Sequence, residues 1–199
     1  MAYLSREARR EQIMNVVRVL VTSEGLAAAT VRRIAQELGC SPGQIHHHFA
    51  SAEALRAEAV RDVWSRIEPV LDEALTPLPP RKRLLTVLAS CVEHLPEDTQ
   101  PAMIAAKRLW REARDAHPGP EVREAVAEGF GRLRNELEST LLRGMAEGEF
   151  PADLDVQKVI LALMTATIGY DNLTELGAVS DLTQDKRGFI EERMRQQGL

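Results

Sequence analysis

The stretch Thr30–Leu55, TVRRIAQELGCSPGQIHHHFASAEAL, reads as two short helices around a tight turn, with a longer helix opening directly after it. Thr30 is placed to cap the first helix, its hydroxyl taking up an orphan backbone N–H. Val31, Ile34, Ala35 and Leu38 then recur at i, i+3, i+4 and i+7, a single apolar stripe. Gly39 follows the last periodic residue, where a left-handed residue closes a helix. Ser41-Pro42 restarts one, with serine as the cap and proline at the first helical position, where its missing N–H costs little. Ile45 and Phe49 make a second apolar pair four residues apart. A helix, a glycine turn and a short helix with a polar open face are the parts of a helix-turn-helix.

Outward from this stretch the chain reads as helix throughout. Of 199 residues, 44% are hydrophobic and 28% charged, an ordinary globular balance, and aromatics are scarce at 4%. Ala, Leu, Glu and Arg dominate, and no β-branched alternating run appears, so sheet is not expected. An opening helix is expected from Ser5 to about Glu24, with Ile13, Val16, Val17, Leu20 and Val21 on its apolar face and Gly25 as its stop. Arg6, Arg9 and Arg10 precede that face, either as phosphate contacts or as a solvated first turn. A fourth helix is expected from a Ser51 cap, with Pro69 kinking it or ending it early. Thr76–Pro80 is a loop between helices. Beyond it, apolar periodicity predicts helices over Leu84–Leu95, Met103–Ala116, Val122–Met145 ended by Gly148, Val156–Tyr170 opened by Asp155, and a last one over Thr183–Gln197. About nine helices result, an all-α chain: a three-helix head over 1–50, a connecting helix over 51–75, and a helical body over 76–199.

Charge is divided unevenly between these parts. Residues 1–50 hold six Arg (6, 9, 10, 18, 32, 33) against four Glu (7, 11, 24, 37), a surplus of two positive charges. With −5 over the whole chain, the remainder carries −7. An acidic body with a mildly basic head suits a protein that presents one end to phosphate. No 18-residue apolar stretch and no cleavable leader is seen, so a cytoplasmic protein without a membrane partner is expected.

Thr30-Val31-Arg32-x-Ile34-Ala35-x-x-Leu38-Gly39-x-Ser41-x-Gly43-x-Ile45-x-x-His48-Phe49, followed by Ser51-x-Glu53-x-Leu55, resembles the DNA-binding head of the tetracycline-repressor (TetR/AcrR) family. The likeness covers about the first 65 residues in one unbroken frame; the body is similar in layout alone. It implies a homodimeric, all-α transcriptional regulator, most often a repressor, that binds a palindromic double-stranded operator and is released by a small-molecule effector held in the body. Carried over residue by residue, Thr30, Ser41 and His48 match phosphate contacts, and Gly43 matches the position of close backbone approach. Gln44, His46 and His47 fall on the open face of the recognition helix, where Gln can pair with adenine and imidazole with guanine or phosphate. Arg32 and Arg33 open the preceding helix and could reach backbone or base. Two positions depart from the family pattern, His46 for a usual Tyr and Ala52 for a usual Lys. The first puts a titratable group on the interface, so that binding could tighten as pH falls toward about 6. The second removes a phosphate contact and flattens the salt dependence by somewhat less than about one unit.

The body carries fainter signals. Trp64, Cys91, His94, Met103, Trp110, Phe130, Met164 and Tyr170 are the aromatic, polarisable or imidazole side chains available for an effector pocket, with plain core as the alternative for each. The penultimate helix is apolar on more than one face. Val156, Val159, Ile160, Leu163 and Thr167, with Phe189, Ile190 and Met194 of the last helix, are candidates for a four-helix dimer interface. Three adjacent histidines point ~100° apart on a helix and cannot converge on one ion, so no metal is expected, and no cofactor. Cys40 and Cys91 form no framework and read as reduced thiols, Cys40 having no nearby resolving partner for a redox switch. An enzyme is disfavoured: no Glu-x-x-His, His-Glu-x-x-His, phosphate loop or Gly-x-Ser-x-Gly occurs. A helical adaptor whose helix-turn-helix meets protein is the remaining alternative.

Overall fold

The computed structural model describes residues 5–89, 107–113, 119–178 and 185–199. Among these the chain is all-α: α1 (Arg6–Ser23), a 3-10 turn (Leu26–Ala28), α2 (Val31–Glu37), α3 (Pro42–His46), α4 (Ala52–Leu75), α5 (Pro80–Ala89), α6 (107–113), α7 (Pro120–Ala146), α8 (Val156–Glu175) and α9 (Lys186–Gln196). Two compact units emerge, one built from Met1–Val70 with Asp98–Phe130, the other from Leu71–Glu97 with Gly131–Leu199. The division falls inside α4, after Val70, and inside α7, after Phe130.

In the first unit Ile13 and Val17 of α1, Ile34 of α2, Ile45 of α3 and Leu55 of α4 are fully buried. Ser5 caps α1 by accepting from the Ala8 N–H at 3.1 Å. Val16 is only half-buried, while Met14, outside the expected stripe, is buried. Arg18 of α1 donates to Asp62 of α4 at 2.8 Å. Helix α4 continues past Pro69 to Leu75 instead of ending there. Pro69 is exposed, and so is Ser65, whose carbonyl is the one a residue at 69 would normally meet. Water can take that carbonyl, while buried Ile67 and Leu75 anchor the helix on the other side. Ser51 caps the helix as expected, accepting from Ala54 N–H at 2.8 Å.

In the second unit, Leu84 and Leu88 of α5, Leu137 and Leu141 of α7, Leu163 of α8 and Ile190 of α9 meet in one core. Gly148, at φ 75°, closes α7, and Phe150 folds back so that its ring lies where a side chain on Gly144 would be. Asp155 caps α8 through Lys158 N–H at 3.1 Å, and Asp185 caps α9 through Gly188 N–H at 2.7 Å. Pro80 is not part of the preceding loop but the first residue of α5, the position that tolerates its missing N–H.

Candidate nucleic-acid interface

Helix α2 is fixed at both ends. The Thr30 hydroxyl accepts from Arg33 N–H at 3.2 Å. At the other end Gly39 sits at φ 60°, with its N–H on the Gln36 carbonyl at 3.2 Å and the Cys40 N–H on the Ala35 carbonyl at 2.9 Å. That pair of bonds is a Schellman closure and turns the chain into α3. Ser41 occupies the cap position of α3, but its hydroxyl makes no capping bond; its carbonyl accepts from Gln44 N–H at 3.0 Å instead. The hydroxyl is left exposed.

Helix α3 is five residues long, too short to stand alone, and is held from beneath by Ile45 and from behind by Phe49, both buried. Arg10 of α1 completes that support. Its guanidinium donates to the His48 carbonyl at 2.7 Å, pairs with Glu58 of α4, and lies 4.4 Å over the Phe49 ring. The end of α3 is therefore pinned to α1 and α4 by one side chain. Nothing at helical spacing in the sequence ties Arg10 to Glu58, which lies 48 residues further on.

The expected contact residues separate into two groups. Thr30, Arg32, Ser41, Gly43, Gln44, His46 and His47 are all exposed on the helix-turn-helix. Arg33 and His48 are drawn inward. Arg33 lies between Glu24, at 3.2 Å, and Glu37, at 3.0 Å, which offset its charge. His48 is half-buried, and its Nδ1 is enclosed without a partner. Partial burial, helped by the positive charges of Arg6, Arg10 and Arg9, holds its imidazole below the ordinary value. The histidines do not cluster, and no group of three metal-ligating side chains occurs among the described residues. Cys40 is a free, half-buried thiol.

Gly43 is informative because the fold does not demand it. Its φ is not left-handed, and a side chain there would meet only the Ser41 hydroxyl, at 3.8 Å. An ordinary residue would fit and would favour the helix.

Of the expected pocket residues, Trp64, Trp110 and Phe130 come together in the first unit. Both ring pairs lie edge to face at 4.9 Å between centroids, and the Trp110 ring occupies the space a side chain on Gly129 would need. Met164 and Tyr170 belong to the second unit, where Tyr170 packs on Phe189 at 5.0 Å. Cys91, His94 and Met103 lie outside the described residues. A cavity of about 420 Å³ in the second unit is lined by Pro79, Lys82, Leu85, Arg187 and Met194 among others, and by none of the expected pocket residues. On the expected dimer face, Val159, Ile160, Leu163, Ile190 and Met194 are already covered within the chain's own core, Thr167 is buried, and Val156 and Phe189 are half-buried against that core. Leu161 and Leu173 of α8, and Leu176 at its C-terminal cap, are exposed.

Helix α6 reaches the head through a contact with no signal in the sequence. Glu112 accepts from the Leu26 N–H at 2.6 Å, just after Gly25, whose φ of 98° and lack of a side chain leave room for that carboxylate. Glu53 of α4 likewise accepts from Glu121 N–H at 3.0 Å in the first turn of α7.

Residues 13–59 match the family model described as "Bacterial regulatory proteins, tetR family", and residues 111–184 match "Tetracyclin repressor-like, C-terminal domain". Over 161 residues the chain is 29% identical to the HTH-type transcriptional repressor KstR2 of Mycolicibacterium smegmatis, covering 76% of this chain and 72% of that one. A TetR-family transcriptional regulator from Rhodococcus sp. shares the fold with a TM-score of 0.70 at 20% identity, over 96% of this chain and 98% of that one. FadR of Bacillus subtilis, solved in complex with stearoyl-CoA, shares it with a TM-score of 0.62 at 18% identity, over 94% and 97%.

Proposed function

The chain belongs to the TetR family of transcriptional regulators, not to an enzyme family, and from that premise we propose that it is a repressor that binds a palindromic operator as a homodimer and lets go when a small molecule binds. The observation that carries the DNA-binding part is the exposed, unfilled backbone at Gly43, flanked by Ser41, Gln44, His46 and His47 on the open face of a helix held from behind. In this reading residues 1–50 form the head, 51–75 connect, and 76–199 hold effector and partner. Thr30, Arg32, Ser41 and His47 meet phosphates, the Gly43 backbone approaches the duplex closely, and Gln44 and His46 face base edges. Arg33 and His48 act at one remove, holding the frame rather than the DNA.

The dimer places two recognition helices about one helical turn apart, ~34 Å, on the operator. Its interface is the outer side of α8 and α9, with Leu161 at its surface and Val159, Ile160, Leu163, Thr167, Ile190 and Met194 as the layer beneath. Val156 and Phe189 flank that layer. The effector is an apolar small molecule that displaces or joins the Trp64–Trp110–Phe130 group, and α6 passes the change to the head through Glu112 and the Leu26 N–H. Coupling arises only if the effector has different affinities for the two head positions. The solved structure of FadR in complex with stearoyl-CoA supplies a parallel for effector binding.

A gel shift of the purified protein on fragments of its own genome at low salt tests the reading. A retarded palindromic fragment, freed by a metabolite extract, is the expected result. No retarded fragment with or without extract removes the DNA-binding reading; retention of both heads' fold with capture of a protein instead would favour the adaptor.

A further inference from the structure

The open face of α3 is touched by a side chain from outside the helix-turn-helix. Arg9 of α1 spreads its guanidinium between two amides, with Nη1 on Gln12 Oε1 at 2.6 Å and Nη2 on Gln44 Oε1 at 3.0 Å. A guanidinium carries five N–H donors and no acceptor, so the atom of Gln44 that faces it must be the carbonyl oxygen. The amide group is thereby turned so that its NH₂ is free on the exposed side.

This orientation changes what Gln44 can read. A free glutamine pairs bidentately with adenine by donating to N7 and accepting from the N6 amino group. Here the accepting atom already receives a charged donor. Its second lone pair remains, but an adenine amino group using it would bring its own partial positive charge toward the guanidinium. Guanine meets the opposite condition: its major-groove edge offers two acceptors, N7 and O6, and no donor. Arg9 and Gln44 together present N–H groups and positive potential to that edge, since Arg9 retains donors beyond the two it uses.

We propose that Arg9 is a specificity-determining residue: by holding the Gln44 carbonyl it sets Gln44 to select guanine over adenine at its operator position. The assignment rests on the reading of the chain as a sequence-specific DNA binder. Arg9 is a positioning residue in this scheme, acting on the base through Gln44 and through its own field.

The test is in-vitro selection from a randomised duplex library with the full-length protein, comparing wild type with Gln44→Ala, Arg9→Met and Arg9→Lys. Gln44→Ala marks the position by flattening the base preference there. At that position the wild type is expected to prefer guanine over adenine by about fivefold or more, the low end of what one well-formed base contact discriminates. Arg9→Met, an unbranched side chain without a donor, is expected to shift the guanine-to-adenine ratio toward adenine by about the same factor, while Arg9→Lys keeps guanine. A purely structural role for Arg9 would weaken binding at all sequences alike and leave the ratio unmoved. An adenine preference in the wild type, no position flattened by Gln44→Ala, or a ratio unchanged in Arg9→Met overturns the assignment alone. Selection of no duplex by the wild type overturns both the assignment and the DNA-binding reading.

Discussion

At the scale of single residues, stability and DNA affinity can be separated at Gly43. The position is helical and has room for a side chain, so Gly43→Ala is expected to leave the fold intact and to raise stability by about 0.5–1 kcal/mol in urea unfolding. The same methyl lies where the duplex backbone would come closest, and affinity for the selected operator should fall by about tenfold, a loss of about 1.4 kcal/mol. A variant that gains stability and binds as before would show that the bare backbone serves nothing outside. Arg10 is the converse case. Arg10→Met removes a hydrogen bond to the His48 carbonyl, the Glu58 pair and the contact with Phe49. The ion pair is partly exposed and contributes little, so the expected loss of about 1–2 kcal/mol comes mainly from the orphaned carbonyl and the uncovered ring. His48 adds a pH dependence with a definite sign. Partial burial and its arginine neighbours hold the ring below the ordinary 6.5, so the unfolded chain binds the proton more readily. Stability is therefore complete above about pH 6.5 and declines as pH falls below it. His48→Gln should remove that part of the decline when unfolding is compared at pH 7.5 and 5.5.

At the scale of elements, the head was legible because local rules fix it. Thr30 caps, Gly39 turns left-handed, Pro42 opens a helix and Ser51 caps the one that follows, and each is decided within four residues of sequence. What local reading could not supply were contacts made across the chain. Arg9 reaches Gln44 over 35 positions, and Glu112 reaches the Leu26 N–H over 86. Neither pairing leaves a periodic trace, since a charged side chain that turns inward has the same sequence signature as one in water. Burial inside the chain and burial against a partner look alike in sequence for a related reason. A helix apolar on more than one face suggested a partner, yet Leu163 and Ile190 are fully buried within the chain, so part of that surplus serves its own core. Pro69 shows local propensity losing to packing: the helix continues because Ile67 and Leu75 hold it from the buried side. A prediction follows for α4. Pro69→Ala restores an N–H to the exposed Ser65 carbonyl, and unfolding midpoints should rise, with a gain of about 1–3 kcal/mol. A fall instead would mean that the proline's geometry is required where α4 passes from one unit to the next.

At the scale of the whole molecule, dimerisation can be tested apart from folding because α8 carries both buried and exposed leucines. Leu163 is fully buried, and a charge there would break the core of the second unit. Leu161 is 69% exposed, so Leu161→Lys leaves the core of a single chain untouched and should change its intrinsic stability by no more than about 0.5 kcal/mol. If the outer side of α8 pairs across a two-fold axis, however, the substitution sets two ammonium groups against an apolar patch from both sides, because a symmetric interface repeats every change. Light scattering should then give the mass of one 22.1 kDa chain for the variant and twice that for the wild type. Operator binding gives the functional counterpart. A monomer keeps one recognition helix and its contacts to a half-site, but loses the second half-site that two linked heads reach together. Affinity for the full palindrome should fall toward that for the half-site, while the base preferences within the half-site stay as they were. A variant that keeps the wild-type mass and its preference for the palindrome would move the interface away from Leu161 and leave the buried layer beneath it with a purely internal role.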